Sequence, residues 1–154
     1  MPDSTEGWVQ WLVDRAQITD LVSNYNHALD RHEEELFESL WALNATWHFV
    51  NGGGRFEGRQ SILDAYRTFW DMHDVMEHCS SNVVVEVNND CIHAKSRSKT
   101  IGRAISSSGH IHDSFIDYDD EYIKSDGEWK FLRREIRSHN PAEFITDVAV
   151  QLAG

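Results

Sequence analysis

Between Trp8 and Leu29 the apolar positions Trp8, Trp11, Leu12, Ile18, Leu21, Val22, Tyr25 and Leu29, joined by the stem of Arg15, recur at steps of three and four. That is the period of a helix with one face turned to a core. Ser4 or Thr5 offers a hydroxyl for its N-cap. After a break over Asp30 to Glu33, Leu36, Phe37, Leu40 and Trp41 form the stripe of a second, shorter helix over Glu34 to Leu43, which completes a helical hairpin. Ala45 to Val50 has the β-branched and aromatic content of a strand, Asn51-Gly-Gly-Gly54 is a turn that calls for positive φ, and Arg55 to Glu57 is a short return strand. Gly58 to Met72 is helical again, with Ile62, Leu63, Tyr66, Phe69 and Trp70 on one side.

The period then drops to two. Met76 to Val87, Cys91 to Ile105, His110 to Lys124 and Glu128 to Ser138 alternate in the manner of strands, separated by turns at Asn88 to Asp90, Ser106 to Gly109 and Ser125 to Gly127. Asp126-Gly127 is a strong hairpin signal, because both central residues of a type I′ turn need positive φ. The four segments predict an antiparallel meander. Pro141 opens a last helix, with Phe144, Ile145, Val148 and Leu152 at helical spacing. Helices followed by long antiparallel strands predict an α+β fold in which a curved, mixed or antiparallel sheet wraps around the N-terminal helices. Neither a repeat nor an interdomain linker interrupts the 154 residues, so one domain over residues 1–154 is expected.

Composition narrows the function classes. Twenty-six acidic residues against 14 basic ones give a formal charge of -12, a field that repels phosphate backbones and argues against a nucleic-acid partner. Six Trp, seven Phe and four Tyr suggest an aromatic-rich core or pocket. Cys79 and Cys91 fall in no metal-type spacing and read as small buried hydrophobes in a reducing compartment. No membrane span is expected, since no run approaches eighteen apolar residues, and the start of the chain lacks a basic, apolar leader. The expectation is a soluble, cytoplasmic protein. The turn at Asn51 to Gly54 lacks the Gly-Lys-Ser/Thr ending of a phosphate loop.

Candidate chemistry gathers at Tyr25 and Asp30, five residues apart at the end of the first helix, with His78 on a later strand as complement. Proton abstraction from carbon near neutral pH needs a base that titrates there, and imidazole is the natural choice. A carboxylate on one ring nitrogen fixes the tautomer, so Asp30 would orient His78. Each residue also has a plain reading: Asp30 as a turn residue, Tyr25 as a core aromatic, His78 as a satisfied strand histidine. His110 and His112 share a strand face, but no third ligand stands at a telling spacing, so no metal is expected. His112 is placed in the pocket and His110 at its rim, and the same parity brings Ser114, Ile116 and Tyr118 inward. Trp47, Met76, Ile101 and Ile136 join them as candidates for the substrate-binding wall, with plain core as the alternative. His27, His32, His48, His73, His93 and His139 are read as structural or surface residues. The acidic run Asp117, Asp119, Asp120 and Glu121 is split between two sheet faces by alternation and reads as a solvated face.

Arg15-Ala-Gln-Ile-Thr-Asp-Leu21, Asp30, Trp47, the Glu-His-Cys-Ser-Ser-Asn segment at 77 to 82 and the run from Asp119 to Arg134 occur in an order and spacing that resemble the SnoaL-like branch of the nuclear-transport-factor-2-like superfamily. The elements resemble the members that catalyse eliminations, the hexachlorocyclohexane dehydrochlorinase, scytalone dehydratase and bile-acid 7α-dehydratase types. The resemblance implies a nuclear-transport-factor-2-like cone, a His-Asp dyad made by His78 and Asp30, and a catalytic Tyr25 as in the bile-acid type. It also implies a pocket arginine at Arg134, whose neighbour Arg133 points the other way. By this likeness the chain is a lyase without metal or nucleotide cofactor, a dehydratase or related elimination enzyme acting on a small, largely apolar cyclic or aromatic substrate. Self-association is expected too, with a homotrimer favoured. An isomerase that shuttles a proton on a ketone would use the same base. The fold also serves as a binding or assembly subunit, such as the small subunit of ring-hydroxylating dioxygenases.

Overall fold

The computed structural model describes residues 4–139. Helix α1, Thr5–Arg31, begins at Ser4, whose hydroxyl accepts the Gly7 N–H at 3.1 Å, and ends at His32, which turns into the left-handed region with φ 56. Helix α2 is Glu34–Ser39, and β1 is Trp41–Phe49. There follow β2 at Gly54–Glu57, α3 at Arg59–Met72, β3 at His73–Val87, β4 at His93–Ser106, β5 at Ile111–Ser125 and β6 at Glu128–Ser138. The strands form one sheet in the order β2-β1-β6-β5-β4-β3. Strands β3 to β6 make the expected meander, and β1 joins β6 in parallel. The fold is α+β, with a curved sheet that does not close wrapped around the N-terminal helices. The helix expected after Pro141 lies outside the described residues.

Two boundaries differ from expectation for a packing reason. Leu40 and Trp41 were expected to extend the second helix, but the Leu40 carbonyl accepts the Phe131 N–H at 2.8 Å and Trp41 pairs with Phe131. Capture by β6 overrides the helical period of the stripe. Along α1 the buried positions begin at Asp14, whereas Trp8 and Leu12, expected on the core stripe, are exposed. Asp14 takes the buried place because its Oδ1 accepts from Lys124 Nζ at 2.7 Å and Trp129 Nε1 at 3.0 Å, both from the β5–β6 hairpin. Cys79 and Cys91 are exposed rather than buried, because Cys79 falls on the outward parity of β3 and Cys91 sits at φ 57 in the β3–β4 turn.

The core is largely aromatic. Phe37 stacks on Tyr66 with centroids 3.6 Å apart, and Tyr25, Trp41, Trp47, Tyr118 and Phe131 surround them. Facing α1, the inward row of β4 is small: Ala94, Ser96, Ser98, Thr100 and Gly102. Large residues on that row would hold the helix away from the sheet. Bulges reset the parity of two inward rows. In β3 the register shifts between His73 and Val75 and again between Ser81 and Val84, where Asn82 has φ 54; between β5 and β6 it shifts beside Tyr122. No helix among the described residues is long and apolar enough to cross a membrane.

Candidate functional site

Asp30 occupies the last turn of α1 and His78 the middle of β3. One carboxylate oxygen accepts the His78 backbone N–H at 2.9 Å and the other accepts from its Nδ1 at 2.6 Å. Both side chains are mostly buried. A carboxylate accepts, so Nδ1 carries the hydrogen, and the neutral imidazole keeps its lone pair on Nε2. His78 is paired across the sheet with Gly102, and Gly102 in turn with Ser114, whose hydroxyl donates to the Gly102 carbonyl at 3.3 Å. A Cβ on Gly102 would stand 2.9 Å from His78 Cδ2 and 3.2 Å from Nε2, so the missing side chain is the space in which the ring lies.

His78 opens onto a cavity of about 90 Å³ between α1, α3 and the sheet. Tyr25, Trp47, Met76, His112, Ser114, Ile116, Tyr118 and Ile136, all named from the sequence, line it. Three residues named with them do not. Asp30 stands behind His78, where its bonds hold the ring. Ile101 is a correction: it is 60% exposed on the outer face of the sheet, because Gly102 takes the inward parity of β4. Arg134 does turn inward and Arg133 outward, but Arg134 is fully buried behind the cavity wall. Its Nε and Nη2 donate to the two Asp120 oxygens, each at 2.8 Å, and its Cζ lies 4.0 Å from the ring centres of both Tyr25 and Tyr118. Burial works against the guanidinium charge, but Asp120 first, with Tyr25 and Tyr118 beside it, outweighs burial and holds Arg134 protonated.

Burial pushes the Tyr25 phenol up to about 12, with Arg134 beside it working in the opposite direction. Tyr25 is therefore a neutral O–H donor across the physiological range, backed by a buried positive charge. The arrangement offers a base at Nε2 of His78, a phenolic donor, and mostly apolar walls. Among the described residues no three His, Cys, Asp or Glu side chains are grouped to hold a metal ion.

Sequence reasoning gave Phe49 and Phe69 no part in the pocket, read His73 as a structural or surface residue, and read the acidic run holding Asp120 as a solvated face; Asp120 is instead buried. His73 is buried in the cavity wall, its Nδ1 2.9 Å from the Phe69 carbonyl oxygen. Parity carried back from Met76 and His78 points Asp74 inward, and only the bulge at the start of β3 reverses this. Asp120 lies inward between Tyr118 and Tyr122, directly opposite Arg134 in the β5–β6 register. The alternation that split the acidic run carried that signal, but a basic residue on the facing strand had to be matched to it.

Residues 10–135 match the model of the SnoaL-like domain. The chain is 30% identical over 125 residues to the gamma-hexachlorocyclohexane dehydrochlorinase of Sphingobium indicum, a match covering 80% of this chain and 79% of the relative. Among solved structures, a type 2 hexachlorocyclohexane dehydrochlorinase superposes with a TM-score of 0.80 at 23% identity, covering 86% of this chain and 89% of that one. A protein of Novosphingobium aromaticivorans provisionally named a scytalone dehydratase superposes with a TM-score of 0.79 at 21% identity, covering 85% and 87%.

Proposed function

Because the chain belongs to the SnoaL-like domain family, we propose that it is a cofactor-independent lyase, acting as one domain over residues 1–154, that eliminates water from a small, largely apolar cyclic or aromatic substrate. The observation that carries this reading is the two-point hold of Asp30 on His78, which leaves Nε2 as the ring's unprotonated nitrogen at the cavity. Nε2 takes a proton from a substrate carbon. The C–H electron pair becomes the new double bond, and the C–O pair departs with the oxygen. Tyr25 donates a hydrogen bond to that oxygen, Arg134 lends positive potential through the Tyr25 ring, and the proton held by His78 returns to the oxygen as water leaves. The dehydrochlorinase relatives support elimination as the reaction class, and halide is the other leaving group their chemistry suggests.

The test is turnover of hydroxylated cyclic substrates by the native chain, His78→Ala and Asp30→Asn. Loss of the base is expected to lower kcat by about 10²- to 10⁴-fold, with a smaller loss for Asp30→Asn. Equal turnover by all three would refute the dyad. A product with the mass of the substrate would identify an isomerase using the same base.

Self-association belongs to the same proposal, with a trimer built on the outer face of the sheet. There Cys79, Ile101 and Phe115 lie in cross-strand register, and Val75, Ile105 and Ile111 form a second apolar row. Between the rows runs the Arg103–Asp113 ion pair at 2.6 Å.

A further inference from the structure

Beside His78 and His112 a third imidazole lines the cavity, and its hydrogen is fixed as that of His78 is. His73 opens β3 directly after α3, and its Nδ1 faces the Phe69 carbonyl oxygen at 2.9 Å. A carbonyl can only accept, so Nδ1 is the protonated nitrogen and the neutral ring keeps a lone pair on Nε2. The backbone of α3 thereby does for His73 what Asp30 does for His78. Among the described residues the cavity wall holds Arg103 and not one Asp or Glu, so nothing there would compensate a cationic ligand. An acceptor in an apolar wall without a carboxylate suits a neutral donor, and of the two substituents that the proposed eliminations remove, hydroxyl and halide, only the hydroxyl is one.

We infer that His73 is a substrate-binding residue that accepts a hydrogen bond from a hydroxyl group, so that the cavity selects hydroxylated apolar rings over their halogenated counterparts. This deepens the elimination reading, because it assumes that the cavity beside His78 is the substrate site. A halogen offers no hydrogen to His73 Nε2. A halogenated ring in the cavity would leave that buried acceptor unpaired, and a site built around a hydroxyl discriminates against ligands that lack one.

The test uses phenol and chlorobenzene as probes, followed by NMR titration of the intact chain and of His73→Asn. The asparagine amide keeps an N–H for the Phe69 carbonyl, and its oxygen, bonded to the same carbon, falls near Cδ2 of the lost ring and short of the place of Nε2. Phenol affinity is expected to fall about tenfold in the variant, while chlorobenzene affinity stays within about twofold. Equal losses for both probes, or none for either, would overturn the assignment. Should His73→Asn fail to fold, ¹⁵N spectra of the native chain decide. Phenol must shift His73 Nε2 where chlorobenzene does not, and a hydrogen already on Nε2, or a shift matched by both probes, would reject it. Repeating the titration in His78→Ala separates the two readings: discrimination that persists there stands even if no elimination is found, and turnover without discrimination leaves the dyad intact and removes the hydroxyl contact.

Discussion

Gly102 is required for room rather than for backbone freedom. A Cβ there would come within 2.7 Å of Ser114 Oγ and 2.9 Å of His78 Cδ2. Gly102→Ala is expected to leave the fold in place, because the position is ordinary strand, and to push the imidazole off Asp30. A base displaced by about an ångström loses on the order of 10²-fold in kcat. Turnover together with the Nδ1–H resonance of His78 checks this, and an unchanged resonance would count against it. Residues of this kind were hard to read from sequence. Tyr25, Asp30 and His78 were legible because their side-chain chemistry is distinctive and the helix period places the first two. Ile101 misled, since an apolar residue on a strand suggests a pocket, whereas β4 turns its small and polar residues inward under α1 and its isoleucine outward. His73 was hidden by a bulge, which leaves no mark in a pattern of alternation.

At the scale of elements, α1 is tied to the far side of the fold by Asp14. Burial alone would raise the pKa of this carboxyl, but hydrogen bonds from Lys124, Trp129 and Gln10 outweigh it and hold the carboxyl below its usual range. A depressed carboxylate contributes stability that is fully present above its unfolded pKa, about 3.9, and is lost as pH falls through the lower folded value. Asp14→Ala is therefore expected to cost about 3 kcal/mol in urea unfolding at neutral pH, because it leaves Lys124 without its partner. The gap between variant and native chain should narrow below about pH 4. A gap independent of pH would mean that Asp14 contributes packing alone. Most elements were legible from period and turn chemistry, and β6 falls where alternation placed it. The end of α2 was not, because the apolar stripe through Leu40 and Trp41 fits a helix as well as a strand, and only the Leu40 bond to Phe131 decides between them.

At the scale of the molecule, the two sheet faces divide the work. The inner face holds the aromatic core and the cavity. Across the outer face run charged rows, with Lys95–Glu121, Arg133–Glu135 and Lys99–Asp117 ion pairs, and beyond them the apolar rows around Ile101 and Phe115. Exposed pairs of this kind contribute little to stability, but they set which surfaces meet and in what register. Light scattering at micromolar concentration is expected to give a trimer for the native chain and a lower mass for Ile101→Lys, with unchanged circular dichroism. A native chain that stays monomeric would remove the assembly proposal.

The hold of Asp30 on the His78 backbone has a consequence apart from chemistry. Strand β3 is the last in the sheet order and runs for 15 residues, so the side away from β4 is a template on which a foreign strand could grow. Helix α1 blunts that edge at two points: Asp30 occupies the His78 N–H, and Arg15 donates to the Val85 carbonyl at 3.2 Å. The bulge at Asn82 twists the stretch between them. The opposite edge, β2, is only four residues long and gives little to pair with. The carboxylate that holds the His78 ring thus also occupies part of the open backbone of the longest edge strand among the described residues.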